Sequence, residues 1–357
     1  MQESIKDLIP YDPGLTIEQL EKQIGKTMVK LSANESLWGP SPHVYELLRQ
    51  KTALNYYPDG AAVRLKQLLA EDWKLAPDYF CMGNGADEII FLLANSFLNP
   101  GDEAVIPTPT FSSYETAVRI VGGKATLVPQ PELTFNLEEI ASLTGRNTKM
   151  VFLCNPNNPT GTIFSAQALK AFLAQVSPQT LVILDEAYCH YVQDAQYPSS
   201  RELVRQYENL IILRTFSKVF GLAALRIGYA VASPKLIREL EKVRAPYNVN
   251  SLAQAAAIAA WQDKPYLQKV VDETCTERTR LIQRLQECGL KLLPSQANFV
   301  LIRHAQAILV AELLLQEGFL VRNTASFGLP DWFRVTIGPA EKMDSFMEAV
   351  RKVLQVI

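Results

Sequence analysis

Histidine is scarce: there are three in 357 residues, His43, His190 and His304. They lack metal-ligand spacing. Cysteine is scarce too. Cys81, Cys154, Cys189, Cys275 and Cys288 are scattered, odd in number and without a CxxC pair. This argues against a disulfide framework or a zinc site and fits a reducing compartment. No apolar run approaches the roughly 18 residues that a membrane span needs. Met1 to Pro10 carries early acidic residues and no apolar h-region, so no signal peptide is expected. An excess of one charge sign is also missing. The 35 Lys and Arg residues nearly balance 37 Asp and Glu, leaving a net charge of -2 and a pI near 6.0. Neither nucleic acid nor an anionic membrane has an electrostatic hold on such a chain. Any anion must therefore be bound locally, by a few placed groups, and the expected location is the cytoplasm.

What is present is ordinary for a globular protein: 48% hydrophobic and 20% charged residues, with no internal repeat or low-complexity tract. The length allows a large core and two domains. Short β-rich runs alternate with amphipathic stretches. Strands are expected at Glu103–Ile106, Ala125–Val128, Met150–Cys154, Leu181–Leu184, Leu210–Arg214 and Ile227–Val231. Helices are expected at Ala86–Phe97, Ser113–Val121, Ala166–Val176 and Glu202–Tyr207. Strands that read as continuous apolar runs between helices imply an α/β fold with a mostly parallel sheet covered on both faces. The tail changes character. A helix over about Tyr266–Cys288 leads to strands at Asn298–Ile302, Phe319–Arg322 and Phe333–Ile337, then a last helix from Ala340. The expected division is an N-terminal arm with part of the small domain (1–45), a large domain (46–245) and a small α+β domain (246–357). Pro10, Pro13, Pro40 and Pro42 make the N-terminal segment read as arm and loops.

Ligands of parallel sheets sit at the carboxyl ends of the strands, so those ends carry the chemistry. Leu210–Arg214 is followed by Thr215-Phe216-Ser217-Lys218, with Arg226 eight residues on. A partly desolvated lysine amine can attack an aldehyde, and hydroxyls with an arginine suit a phosphate. An aldehyde plus a phosphate describes pyridoxal phosphate, although a Ser-Lys pair taken alone is more often a solvated turn. Gly83-Asn84-Gly85-Ala86-Asp87-Glu88 precedes an apolar helical run, so it forms either a phosphate cradle or a plain helix start. Phe111 follows another strand and could stack on a flat ring or belong to the core. Asn155-Pro156-Asn157-Asn158-Pro159-Thr160-Gly161 is a turn signal that also puts the Asn158 amide at the ligand edge. Asp185 ends a wholly apolar strand, which is costly without a partner such as a pyridinium N–H or a helix cap. Tyr188 stands three residues on.

Together these residues are similar to the fold type I pyridoxal-phosphate-dependent aminotransferases. The carrying motifs are Asn158-Pro-Thr-Gly, Asp185-Glu-Ala-Tyr188, and Ser217-Lys218 followed by Gly221-Leu-Ala-Ala-Leu-Arg226-Ile-Gly. Within that family the chain resembles the histidinol-phosphate aminotransferases, through Leu8-Ile-Pro-Tyr11-Asp-Pro-Gly14, Leu31-Ser-Ala-Asn34-Glu35, Tyr56-Tyr57-Pro58, Gly85-Ala-Asp-Glu88, Ala245-Pro-Tyr-Asn248, Asn298-Phe-Val-Leu301 and Phe333-Arg334-Val-Thr-Ile-Gly338.

The resemblance implies a seven-stranded sheet plus a smaller α+β domain, and pyridoxal 5'-phosphate as cofactor. It implies that Lys218 holds the cofactor covalently and shuttles the proton. Asp185 would pair with the ring nitrogen, while Tyr188 and Asn158 would bond the phenolic oxygen. Ala86 and Asp87 (through backbone N–H), Ser217 and Arg226, with Thr215 helping, would hold the phosphate, and Phe111 would stack on the ring. Tyr57 would reach the phosphate of the neighbouring subunit in a homodimer with shared sites. Arg334, Arg322 and Tyr11, with Asn34 and Asn158, would bind substrate: L-histidinol phosphate in one half-reaction, glutamate or 2-oxoglutarate in the other. Many relatives carry tyrosine where this chain has Phe111. Phe327 and Trp332 near the expected substrate mouth keep an aromatic amino-acid aminotransferase open as an alternative. A threonine-phosphate decarboxylase uses similar motifs, and a non-catalytic pyridoxal-phosphate-binding module is the reading from a different class.

Overall fold

The computed structural model describes residues 3–8, 15–50 and 53–357. Among the described residues there are thirteen strands: β1 (Val29–Lys30), β2 (Phe80–Gly83), β3 (Glu103–Thr108), β4 (Lys124–Pro129), β5 (Thr148–Cys154), β6 (Leu181–Asp185), β7 (Leu210–Thr215), β8 (Gly228–Val231), β9 (Lys291–Leu292), β10 (Phe299–Arg303), β11 (Phe319–Leu320), β12 (Arg322–Asn323) and β13 (Trp332–Thr336). Seven of them form the main sheet in the order β2-β8-β7-β6-β5-β3-β4. Only β8 runs against the rest, pairing antiparallel with both β2 and β7. The central strands β5, β6 and β7 are parallel and almost wholly buried, because helices cover both faces of the sheet. Every strand expected in the main sheet is present. The sequence reading omitted β2, whose four residues end in a glycine.

The long C-terminal helix spans Lys264–Glu287 and the last helix Ala340–Leu354. A four-stranded sheet, β12-β13-β10-β9, packs a second apolar core that contains Leu281, Leu285, Phe333 and Phe346. The single strand expected over Phe319–Arg322 is two short pieces in different sheets. β11 pairs with β1, and β12 with β13. The N-terminal segment is more than an arm and loops. Thr16 closes a capping box on the helix Ile17–Ile24, and β1 lies parallel to β11. Leu31 is fully buried in the smaller core.

The helix Ser251–Gln262, expected in the small domain, sends Ala253, Ala256, Ala257, Ala260 and Trp261 into the larger core instead. Val270 belongs to the larger core and Leu281 to the smaller. We propose that the division between the two bodies falls inside the helix Lys264–Glu287. No described helix is long and apolar enough to cross a membrane.

One buried ion pair braces the carboxyl edge of the sheet. Arg214, near the end of β7, donates through Nε at 2.8 Å to Glu186 Oε2. Glu186, one residue past β6, is fully buried and also accepts from Ser200 Oγ at 2.9 Å. The Arg214 guanidinium lies 5.3 Å from the centroid of the Trp73 ring. Removing one member of such a pair leaves the other charge buried and unmatched. Glu186→Ala is therefore expected to lose about 3–5 kcal/mol of unfolding free energy in urea denaturation, while Glu186→Leu combined with Arg214→Met loses less than either single change. Equal losses in all three variants would show that the charges are not coupled.

Candidate active site

Lys218 is placed by a tight turn anchored on aromatic rings. Ser217 N donates to Thr215 Oγ1 at 3.0 Å, and Gly221 N to the Lys218 carbonyl at 3.0 Å. Phe216, fully buried, packs on Phe220 with ring centroids 4.8 Å apart, and Phe220 stacks on Trp261 at 5.4 Å. These contacts pin both sides of Ser217-Lys218 and leave the lysine half-buried, facing the site. Its Nζ donates to the Ala33 carbonyl at 3.2 Å and lies 5.5 Å from the Tyr188 ring centroid. Burial, then the nearby Arg334 guanidinium, depresses its pKa to about 8, so a usable fraction of free amine exists near neutral pH.

Asp185 ends β6, and its carboxylate is buried. Oδ1 accepts from Ala187 N at 3.0 Å, and Oδ2 accepts from Tyr114 Oη at 2.7 Å. Burial pushes the pKa up to about 6, although both hydrogen bonds pull the other way. No described cation forms an ion pair with it. Tyr188 is buried, and its hydroxyl accepts from Asn34 Nδ2 at 3.0 Å. Asn158 does not reach Tyr188. Its Oδ1 accepts from Arg334 Nη1, which leaves the donor end of the amide for another acceptor.

The helix Gly85–Phe97 begins at the mouth of β2. Gly85 has φ +81°, and a Cβ there would stand 2.5 Å from Arg226 Nη2. A Cβ on Gly228 would stand 2.6 Å from Ala86 N. The two glycines thus let Arg226 and the first turn of the helix crowd together. Arg226, itself left-handed at φ 52°, donates to Ser217 Oγ at 3.4 Å and to Asp87 Oδ2 at 3.3 Å. Helix N–H groups, a hydroxyl and a guanidinium around one point make an anion cradle. Thr215 stands beside it, with its hydroxyl engaged in the lysine turn. Phe111 follows β3, half-buried, with its edge toward Tyr114 at 5.7 Å.

The smaller body contributes cations. Arg334 on β13 is buried, donates from Nη2 to the Ser32 carbonyl at 2.6 Å, and has a buried Nε with no hydrogen-bond partner. Burial holds its pKa down to about 10. Arg322 lies opposite it in the β12–β13 register, with its guanidinium 6.0 Å from the Phe327 ring. Asn34, at φ 55°, is fixed by Thr336 and by Asn298, whose Nδ2 donates to the Asn34 carbonyl at 3.1 Å. These residues form separate hydrogen-bonded groups: Asp185 with Tyr114 and Ala187, Tyr188 with Asn34, Asn158 with Arg334, and Ser217 and Asp87 with Arg226, while Lys218 bonds the Ala33 carbonyl. Tyr57 belongs to none of them. It is 81% exposed and stacks on Tyr247 at 4.6 Å. Tyr11 lies outside the described residues. Sequence reasoning assigned no role to Tyr114, Asn298 or the Ser32 and Ala33 carbonyls. Of these only Tyr114 had a legible signal, since a polar-tipped aromatic on the inward face of a helix needs a partner.

The match to known proteins follows this geometry. Residues 26–350 fit the family model for aminotransferase class I and II, and the chain belongs to that family. It is similar over nearly its whole length to histidinol-phosphate aminotransferases. The enzyme of that name from Moorella thermoacetica is 43% identical over 357 residues, 99% of this chain and 92% of the relative. Histidinol-phosphate aminotransferase 2 of Carboxydothermus hydrogenoformans is 39% identical, with complete coverage of both chains. Among solved structures, histidinol-phosphate aminotransferase from Sinorhizobium meliloti in complex with pyridoxal-5'-phosphate superposes with a TM-score of 0.91. It is 30% identical and the match covers 100% of this chain and 98% of that one.

The residues fit pyridoxal phosphate. A buried carboxylate held only by neutral donors suits a ring N–H, a cradle that a Cβ would fill suits a phosphate, and an amine with a lowered pKa suits an aldehyde. The raised Asp185 pKa has a consequence for the cofactor-free protein. The unfolded chain releases this proton near pH 3.9 and the folded chain near 6. Between those values the folded state binds more protons, so Asp185 costs stability increasingly as pH rises and fully above about 6. Cofactor-free Asp185→Asn should therefore exceed the wild type by about 1–3 kcal/mol at pH 8 and match it near pH 4. Thermal denaturation across that range checks this, and a variant less stable than wild type at pH 8 would contradict it.

Proposed function

We propose that the protein catalyses the pyridoxal-phosphate-dependent transfer of an amino group from L-histidinol phosphate to 2-oxoglutarate, yielding imidazole-acetol phosphate and glutamate in histidine biosynthesis. One observation carries this reading. Lys218 and Asp185 stand at adjacent strand ends of the main sheet, and a paired-arginine register, Arg322 opposite Arg334, reaches the same neighbourhood through Asn158. A guanidinium fork accepts either a phosphate or a carboxylate, which is what a site alternating between histidinol phosphate and glutamate requires. Names of relatives alike over the full chain support the choice of substrate.

When bound, pyridoxal phosphate supplies an aldehyde that receives the amino group and a ring that spreads negative charge from the substrate α-carbon. Lys218 would hold that aldehyde, and its free amine would take the substrate α-proton as general base and return a proton to the aldehyde carbon. Its lowered pKa suits that double role. Asp185 holds a proton at the ring nitrogen. The Tyr188 hydroxyl and the donor end of the Asn158 amide meet the phenolic oxygen. Ser217, Arg226 and the backbone N–H groups of Ala86 and Asp87, with Thr215 beside them, bind the phosphate, and Phe111 stacks on the ring. Arg334, Arg322, Asn34 and Tyr11 bind the substrate anions. We place this chemistry in the cytoplasm, consistent with five cysteines that form no disulfide.

A homodimer with shared sites belongs to the same proposal. Leu54, Tyr56, Tyr57, Tyr45 and Tyr247 are all exposed large side chains, an apolar surface of the kind that a second copy covers. Tyr57, largely exposed on its own chain, would then meet the phosphate of the neighbouring subunit.

Adding L-histidinol phosphate to the purified holoprotein should convert the cofactor absorbance to that of the amino form, and 2-oxoglutarate should restore it. A band that ignores histidinol phosphate but shifts with phenylalanine or tyrosine would overturn the substrate. Mixed and exchanged Tyr57→Ala and Lys218→Ala subunits, each inactive alone, should regain part of the activity. No recovery in verified hybrids would overturn the shared site.

A further inference from the structure

The carboxylate of Asp185 is held from behind by a residue that the proposed chemistry does not yet use. Tyr114 lies in the helix Ser113–Ile120, on the face that also buries Ala117 and Val118. It is fully buried, and its ring stacks on Phe152 of β5 with centroids 4.8 Å apart and an interplanar angle of 14°. It also meets Phe111 in an edge-to-face contact, with ring centroids 5.7 Å apart. The ring is therefore locked on two sides, and its hydroxyl is aimed at one atom, Asp185 Oδ2, at 2.7 Å. With Ala187 N on Oδ1, each carboxylate oxygen has one donor and the plane of the group is set. Each oxygen keeps acceptor capacity for one more.

We propose that Tyr114 is a positioning residue for Asp185, its phenol fixing the carboxylate plane and favouring its ionised form so that the ring nitrogen of the cofactor stays protonated. This rests on the pyridoxal phosphate reading of the site. The phenol can act only as donor here. Burial and the adjacent carboxylate push its own pKa well above the ordinary phenol range, so the proton of the pair stays on Tyr114. The other titratable groups around Asp185 are Cys154, Asp87, Glu186, Tyr188 and Cys189, and none of them supplies a positive charge. Glu186 is neutralised by Arg214, and Asp87 is paired with Arg226. Tyr114 is thus the one side-chain donor to Asp185 among the described residues.

The proton between Asp185 and a ring nitrogen can sit on either partner. A hydrogen bond to the ionised carboxylate favours the ring-protonated form, and losing a charge-assisted bond of this kind shifts such an equilibrium about tenfold or more. Tyr114→Phe removes one oxygen and keeps both ring contacts. Two measurements test the idea without reference to turnover. In the cofactor-free protein, the side-chain carbon resonance of Asp185 should titrate at least one pH unit higher in Tyr114→Phe than in wild type. In the holoprotein loaded with ring-15N pyridoxal phosphate, the nitrogen resonance should move from the pyridinium toward the neutral pyridine position.

An unchanged Asp185 titration with an unchanged nitrogen resonance would overturn the proposal. A wild-type resonance already at the neutral position would overturn it together with the assignment of Asp185 to the ring nitrogen. That outcome is distinguishable, because it appears before any substitution is made. Should Tyr114→Phe fold poorly, the same resonances read in Phe152→Leu, which loosens the ring while keeping its hydroxyl, should move in the same direction by a smaller amount. No movement there would likewise count against the idea.

Discussion

A negative charge at the end of an apolar strand is the constraint around which the carboxyl edge of this sheet is organised. β6 buries Leu181, Val182, Ile183 and Leu184 and then ends in Asp185. Removing a carboxylate from water is expensive unless donors or a cation replace the lost hydration. The neighbouring elements answer with donors: the phenol of Tyr114 and the amide N–H of Ala187. One residue further on, Glu186 has a full ion pair with Arg214. Two consecutive acids thus receive opposite treatment. The one facing the rear of the sheet is neutralised by protein, and the one facing the ligand edge is left to be matched by something that binds.

The same logic governs the cations. Lys218 and Arg334 are both desolvated; Arg334 further lowers the pKa of Lys218, and Arg322 that of Arg334. Neither has a carboxylate partner within the described chain. Both lean on backbone carbonyls of the N-terminal segment, at Ala33 and Ser32. Carbonyls satisfy a donor without cancelling its charge, so both groups remain available to anions and to proton transfer. A site built from an unmatched acid and two unmatched bases has its electrostatics arranged in advance of the ligand.

Much of this was readable in the sequence, for reasons that can be named. Buried parallel strands read as continuous apolar runs, so β3, β5, β6 and β7 stood out, and the polar residues directly after those runs fell at the ligand edge. The four residues of β2 were too few to separate from their surroundings. β11 and β12 were read as one strand because the chain turns at Val321 between two-residue pieces that no periodicity marks. The helix Ser251–Gln262 packs on the larger core, which its alanine-rich face could not announce. In the site, Lys218, Asp185 and Arg226 were legible as charges in improbable places. Tyr114 carried only the weaker signal of a polar-tipped aromatic, which looks like packing until its hydroxyl is seen to point at a carboxylate. The pairing of Asn158 with Arg334 depends on two bodies meeting, which no local pattern encodes.

The strap formed by residues 29–34 deserves a temporal reading. β1 joins β11 between Val29 and Phe319, Thr336 N binds the Leu31 carbonyl, and Asn34 N binds Thr336 Oγ1. The strap that touches Lys218 and Arg334 leaves the ribosome long before its partners on β11 and β13. Until about residue 336 has emerged, β1 has no neighbour and Leu31 no core to enter. Such widely separated pairings are slow to close because the intervening loop entropy must be overcome first. The main sheet, complete by Val231, has no such delay. The large body can therefore be folded, with its cradle and lysine turn in place, while the protein still lacks the strap and the arginines. Order of synthesis thus separates the making of the lysine turn from the making of the strap and arginines that meet it.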